Sequence, residues 1–397
     1  MQHRLTAFLI LPLLMLGLIG CNFSNEGESS SNPPIFAEGM TLDQKISQTR
    51  EHLFLPGAVV AVHESDKVLI DKAYGVASLE TNAALTKGHH FRIASMTKPF
   101  LAVVMLQLAE EGKLKIDNPV SKYLDGVPAG DKITLRMLAQ HTSGLMNYIA
   151  QPHVKEAFAN EPQRAWKKEE LLKFAFDAGA YFDPEEGGFM YSNTNYILLQ
   201  QVLEKVEGKP INDSIQARIC KPLQMKNTFY STDPKMPEPF ASGYQYGDEN
   251  GPIFWKGIGN IPYDQTYASP TMWHGAGAMV STLGDMTTFI KDICDPNSKL
   301  LKEDSQREVF AWHDTGYPVP YWYGLGLMKY HDGIGHSGYI PGYQCTMMHD
   351  PTADRTVVIL TNCYSSPNWE GPANALYYVI HRHLTGESIA PPGWDGW

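Results

Sequence analysis

The chain has 397 residues, 43% hydrophobic and 19% charged, with a formal net charge of −11. That is ordinary globular composition, in a chain long enough to bury a large core without staples. The body's adjacent basic pair is Lys167-Lys168, and an acidic chain with so little basic clustering offers no footprint for nucleic acid.

The first twenty residues, MQHRLTAFLILPLLMLGLIG, have a positive start at Arg4 and then an apolar run broken by Pro12. The run is short and interrupted for a membrane span and reads as an export signal. It ends in Leu18-Ile19-Gly20-Cys21, which resembles the lipobox of bacterial lipoproteins. That resemblance implies cleavage before Cys21, a lipid on Cys21, and a body anchored to a bacterial membrane, facing the periplasm or exterior. An ordinary signal peptide or an uncleaved anchor are the alternatives; all three place the body outside the cytoplasm. Residues 21–38 are rich in Ser, Asn, Glu and Pro and read as a flexible tether. The four remaining cysteines, Cys220, Cys294, Cys345 and Cys363, show no CxxC spacing, so no zinc or other metal site is expected. They read mostly as free, buried thiols, with a Cys345–Cys363 bridge open if their strands are neighbours.

Residues 57–77 hold two β-rich runs around Glu64-Ser65-Asp66-Lys67, which predicts a hairpin. An apolar helix is expected at about 96–112, ended by Gly112. Residues 115–220 read as mostly helical, and 233–275, rich in Pro, Gly and Tyr, as a long irregular excursion. Strands return from Tyr323, with turns at Asp332-Gly333 and near Pro351, and a last helix covers about 371–384. Strands at both ends can share one antiparallel sheet, with the middle forming a helical lobe and the site in the cleft between.

Three short motifs carry chemistry. Ser95 and Lys98 form the sole S-x-x-K of the chain, at the mouth of the apolar helix. Three apart, they share one helix face. Burial disfavours a lysine cation and makes its neutral amine available to take a proton from the serine, while free N–H groups at the helix start suit a developing oxyanion. The bland reading is an N-cap serine and a snorkelling lysine. Tyr191-Ser192-Asn193 supplies a phenol that can relay a proton and an amide that can bind a carbonyl; the bland reading is a turn capping the next helix. His336-Ser337-Gly338 reads as an edge strand where glycine admits a substrate backbone and the following N–H, of Tyr339, can be a second oxyanion donor; the bland reading is a satisfied strand histidine.

In order, SMTK, YSN and HSG resemble the three motifs of the penicillin-recognising serine hydrolases, in the branch of class C β-lactamases, DD-carboxypeptidases and related esterases and D-aminopeptidases. LAQHTSGL (138–145), ICKPLQMKNTFY, GAGAMVSTLGDM (275–286) and YGLGLM are also similar to family blocks. The resemblance implies an α/β, β-lactamase-like fold, a mixed domain with an antiparallel sheet flanked by helices plus an all-helical lobe, over residues 39–387 before an aromatic tail at 388–397. It implies Ser95 as acylated nucleophile, Lys98 and Tyr191 as the proton-transfer pair, and the N–H groups of Ser95 and Tyr339 as oxyanion hole. Asn193 would contact the substrate amide and Lys98; His336, Ser337 and Gly338 would line the opposite wall. No cofactor is implied.

One departure weighs on function. The class C lactamases carry Lys-Thr-Gly at the third motif, and this chain has no K-x-G. A firm cationic grip on a substrate carboxylate is therefore missing or pH-dependent. Gln224, where the family usually has glycine, affects a turn. The expectation is a hydrolase of amides or esters through an acyl-serine, with a small-molecule or peptide substrate such as a peptidoglycan stem peptide. A β-lactamase and a catalytically idle binder of peptidoglycan or protein are the alternatives.

Overall fold

A computed structural model describes residues 36–248, 251–252, 261–364 and 371–390. The signal segment, Cys21, most of the tether and the Trp394–Trp397 tail lie outside the described residues.

The predicted hairpin is strands β1 (Gly57–Glu64) and β2 (Lys67–Gly75), turning through Ser65 at φ 50. Six later strands join it: β3 (His313–Asp314), β4 (Tyr321–Tyr323), β5 (Met328–Tyr330), β6 (Gly333–Ile340), β7 (Tyr343–Asp350) and β8 (Arg355–Thr361). They form one eight-stranded sheet in the order β2-β1-β8-β7-β6-β5-β4-β3. Every pairing in it is antiparallel. The two termini of the body thus meet in the centre, with Ala58 opposite Thr361 and Glu64 opposite Arg355.

Strand β1 reads as a continuous apolar run because both its faces are covered. Ala58, Val60 and Val62 point into a core with helix α1 (Leu42–His52) and the terminal helix α5 (Gly371–Thr385). Val59 and Ala61 point the other way, into the larger core. That core is built around α2 (Lys98–Glu110), α3 (Asn193–Glu207) and α4 (Leu283–Cys294). The chain between β2 and β3 also carries helices at Leu135–Gln140, Pro152–Asn160 and Lys168–Asp177, the expected helical lobe.

Three expectations need correction. The helix over 96–112 is a 3-10 turn, Ala94–Thr97, followed by α2. The excursion at 233–275 is partly ordered: Tyr244–Asp248 pairs antiparallel with Ile261–Asp264 and parallel with Cys363–Tyr364. No bridge joins Cys345 to Cys363; both are free and buried, as is Cys220. Gln224 does sit at a turn, closing Lys221–Leu223 in the left-handed conformation at φ 57.

Candidate active site

The Ser95 turn is fixed from both sides. Phe91–Arg92 pairs with Met279–Ser281, and the Arg92 guanidinium donates to the carbonyls of Pro234 at 2.6 Å and Thr266 at 3.2 Å. Ala94 then adopts φ 49, a left-handed conformation that costs an L-residue on the order of 1–2 kcal/mol. This lifts Ser95 out of the wall: of residues 91–100 it alone is not buried. In a 3-10 turn residues i and i+3 eclipse, so the Lys98 side chain stacks directly on that of Ser95.

Lys98 Nζ lies 2.9 Å from Ser95 Oγ and donates to the Ala276 carbonyl at 2.8 Å. Lys98 is 0% exposed, and none of its hydrogen-bond partners is a carboxylate. Burial alone drives its pKa well below the ordinary lysine value. The ring faces of Tyr191 and Tyr196, 4.8 and 5.4 Å from Nζ, favour the cation. Such contacts are worth about 0.5–2 kcal/mol, and the burial of Lys98 outweighs them and favours the neutral amine.

Tyr191 arrives from the segment before α3 and makes a side-chain hydrogen bond with Ser95. Burial pushes its phenol well above the ordinary value. Hydroxyl, amine and phenol therefore converge in one place, with both the amine and the phenol at rest in their neutral forms.

The opposite wall is β6. It pairs with β7 along its length, but β5 reaches only as far as Gly335, so the edge from His336 to Ile340 lies beside the Ser95 turn. A Cβ on Gly338 would stand 2.6 Å from the Ile93 carbonyl oxygen and 2.8 Å from the Ser95 nitrogen; only glycine fits this approach. His336, two residues away on the same face, is 3% exposed. Its Nδ1–H donates to the Ser337 carbonyl, so Nε2 is the acceptor and receives a hydrogen bond from the Tyr323 hydroxyl at 2.9 Å. Burial pushes its pKa down to about 3. The grip left open as pH-dependent is therefore absent at ordinary pH.

Two sequence-predicted contacts are not made. Ser337 points to the other face of the strand, as period-two alternation dictates, and its hydroxyl bonds Thr346 at 3.1 Å and Asn374 of α5 at 3.0 Å. Asn193 does not bond Lys98; its Oδ1 is buried and has no partner. Tyr339 follows Gly338 on that edge; the residue is 39% exposed and its ring stacks on Tyr364 at 5.3 Å.

Sequence reasoning missed three participants. Ala276 and His141 lie inside the quoted GAGAM and HTSGL blocks, where their block membership was the available signal. Tyr323 opens the quoted YGLGLM block, but nothing local to that block shows that it meets His336, a contact made only through strand pairing. A cluster of aromatic rings adjoins the site: Phe189 lies 5.9 Å from Tyr323, 6.1 Å from Tyr317 and 6.4 Å from Tyr321.

Comparison with known proteins agrees with this geometry. The Beta-lactamase family model matches residues 42–378. Penicillin-binding protein 4* of Bacillus subtilis (strain 168) is 27% identical, over 85% of this chain and 74% of the relative. Teichoic acid D-alanine hydrolase of Staphylococcus aureus (strain MRSA252) is 28% identical, over 76% of this chain and 69% of the relative. The crystal structure of a D-stereospecific amidohydrolase from Streptomyces sp. superposes with a TM-score of 0.74 at 28% identity, covering 86% of this chain and 98% of that one.

Proposed function

The chain belongs to the Beta-lactamase family, and from that premise we propose the residue roles and the substrate of its acyl-serine chemistry. It is a serine hydrolase of amides or esters. Ser95 Oγ attacks the substrate carbonyl carbon and its proton passes to Lys98. The oxygen that becomes negative is held by the N–H groups of Ser95 and Tyr339. Tyr191 relays the proton to the leaving amine or alcohol as the carbonyl–leaving-group bond breaks. Water then attacks the acyl-serine and restores the serine. The Asn193 side-chain oxygen, buried and unpartnered, accepts a hydrogen bond from the substrate. The observation that carries this reading is the pairing of a half-buried Ser95 with a fully buried Lys98 amine 2.9 Å away.

The substrate is an amide or ester whose leaving side carries no carboxylate. The support is His336, held neutral where lactamases carry a lysine. This ranks neutral esters and amides above D-Ala-D-Ala ends and above β-lactams, which bear a carboxylate. The envelope location and the lipid on Cys21 belong to the same proposal. Membrane fractionation of wild type and Cys21→Ala tests them: the variant should leave the membrane fraction, and its retention there contradicts the anchor.

Intact mass after a fluorophosphonate probe tests the chemistry. A single adduct that disappears in Ser95→Ala supports it, and labelling that survives that substitution contradicts it. A panel of p-nitrophenyl esters, D-amino-acid anilides, D-Ala-D-Ala peptides and a chromogenic cephalosporin tests the ranking. Turnover of the carboxylate-bearing members above the neutral ones contradicts it.

A further inference from the structure

His141 belongs to the HTSGL block, to which the chemistry above gives no role. It closes the helix Leu135–Gln140 in the left-handed conformation at φ 61. Its carbonyl accepts the Met190 N–H at 3.0 Å, and its Nδ1 accepts the Ser192 N–H at 3.1 Å. The amides before and after Tyr191 thus bond to one residue. Between these two grips the imidazole lies on the Tyr191 ring, with centroids 4.1 Å apart and planes at 35°.

A backbone N–H can only donate, so Nδ1 carries no proton and the ring hydrogen sits on Nε2. Nε2 is buried and has no partner. Burial holds the ring neutral, as an accepting Nδ1 requires. Asn195 reaches the same Nδ1 at 3.4 Å and is oriented by the Ser143 hydroxyl at 2.7 Å. As a helix cap, histidine is a poor choice. Glycine or asparagine would take the left-handed conformation more easily and leave no orphaned N–H. What histidine adds is the bracket on Tyr191.

We infer that His141 is a positioning residue for acylation: it sets the Tyr191 phenol against Ser95 and Lys98 by holding both flanking amides and one ring face. The inference rests on the acyl-serine reading above.

The test uses the full-length chain with His141→Asn and His141→Gly. Both residues are at home in the left-handed region, so both variants keep the turn. Asparagine places Oδ1 the same number of bonds from the backbone as Nδ1; glycine keeps the carbonyl that holds Met190 but offers neither side-chain acceptor nor ring. The readouts are the maximal rate and half-saturating concentration of fluorophosphonate labelling at Ser95, beside the melting temperature. His141→Gly should lower the maximal rate on the order of 100-fold, the scale of a small misplacement of a reacting group, with little change in half-saturation. His141→Asn should recover to within about 10-fold of wild type. The inference is overturned if the two variants are equally impaired, if both label at the wild-type rate, or if only half-saturation moves. A wild type that shows no Ser95-dependent label overturns the acyl-serine reading itself, and this inference with it.

Discussion

The two halves of the proton-transfer pair are brought to Ser95 in opposite ways. Lys98 arrives through one turn of the chain, eclipsed on the serine three residues earlier. Tyr191 arrives from roughly a hundred residues later, and its segment is held by the loop at 141–148: Asn193 N–H bonds Asn147 at 3.3 Å, and Thr194 Oγ1 donates to the Met146 carbonyl at 2.7 Å. The local half needs only a turn and a dry environment. The distant half needs a strap. The comparison teaches that one short motif can encode a reactive pair, while the third group depends on packing that no motif spells out.

Breaking the local half should give the largest effect. Lys98→Met removes the base and should slow Ser95 labelling about 10²–10⁴-fold. The same substitution should stabilise the fold. A lysine whose folded pKa lies below its unfolded value binds fewer protons folded than unfolded, so the wild type loses stability as pH falls below the unfolded value of about 10.4. Methionine removes that loss. The melting temperature of Lys98→Met should exceed wild type at pH 7, and the gap should close toward pH 10. A variant less stable than wild type at pH 7 would contradict the buried neutral amine.

Disturbing the wall comes next. Gly338→Ala forces a methyl against the Ile93 carbonyl and the Ser95 nitrogen, so the turn must shift. Overpacking of this kind costs about 1–3 kcal/mol, and the misplaced serine should label on the order of 100-fold more slowly. Unchanged labelling would show that the β6 edge does not set the turn.

His336→Lys sharpens the comparison with a smaller effect. It recreates K-x-G on the wall and should raise turnover of carboxylate-bearing substrates roughly 10-fold relative to neutral esters, a contact of about 1.4 kcal/mol. An unaltered ratio would remove His336 from substrate selection. The last effect is on acid stability. His336, pushed down to about 3 in the fold, stays neutral while the unfolded chain protonates near 6.5. The native state then binds fewer protons, so stability declines as pH falls from about 6.5 toward 3, and His336→Gln should flatten that decline in urea titrations.

Much of the site was legible because its signals are local. The hairpin at 57–77, the apolar helix and the terminal strands follow from patterning, and Ser95 with Lys98 from three motifs that, in order, resemble those of a known family. Ser337 was misplaced because a three-letter motif ignores strand alternation, which sends its hydroxyl to Asn374 and away from Ser95. The Asn193–Lys98 contact failed because Lys98 takes the Ala276 carbonyl instead, a partner supplied by a distant loop. Tyr323 and the bracket by His141 depend on tertiary pairing and had no period to betray them. The order in 233–275 was hidden because its strands borrow partners from each other and from Cys363–Tyr364.

Everything rests on a lysine that is uncharged where it meets the serine. The pH dependence of the fluorophosphonate labelling rate at Ser95 tests this directly. The rate should rise through a depressed lysine pKa and level off well before the ordinary value of about 10.4. A rate that keeps climbing tenfold per pH unit through that value would mean the amine is a cation at neutral pH, and the account would fail.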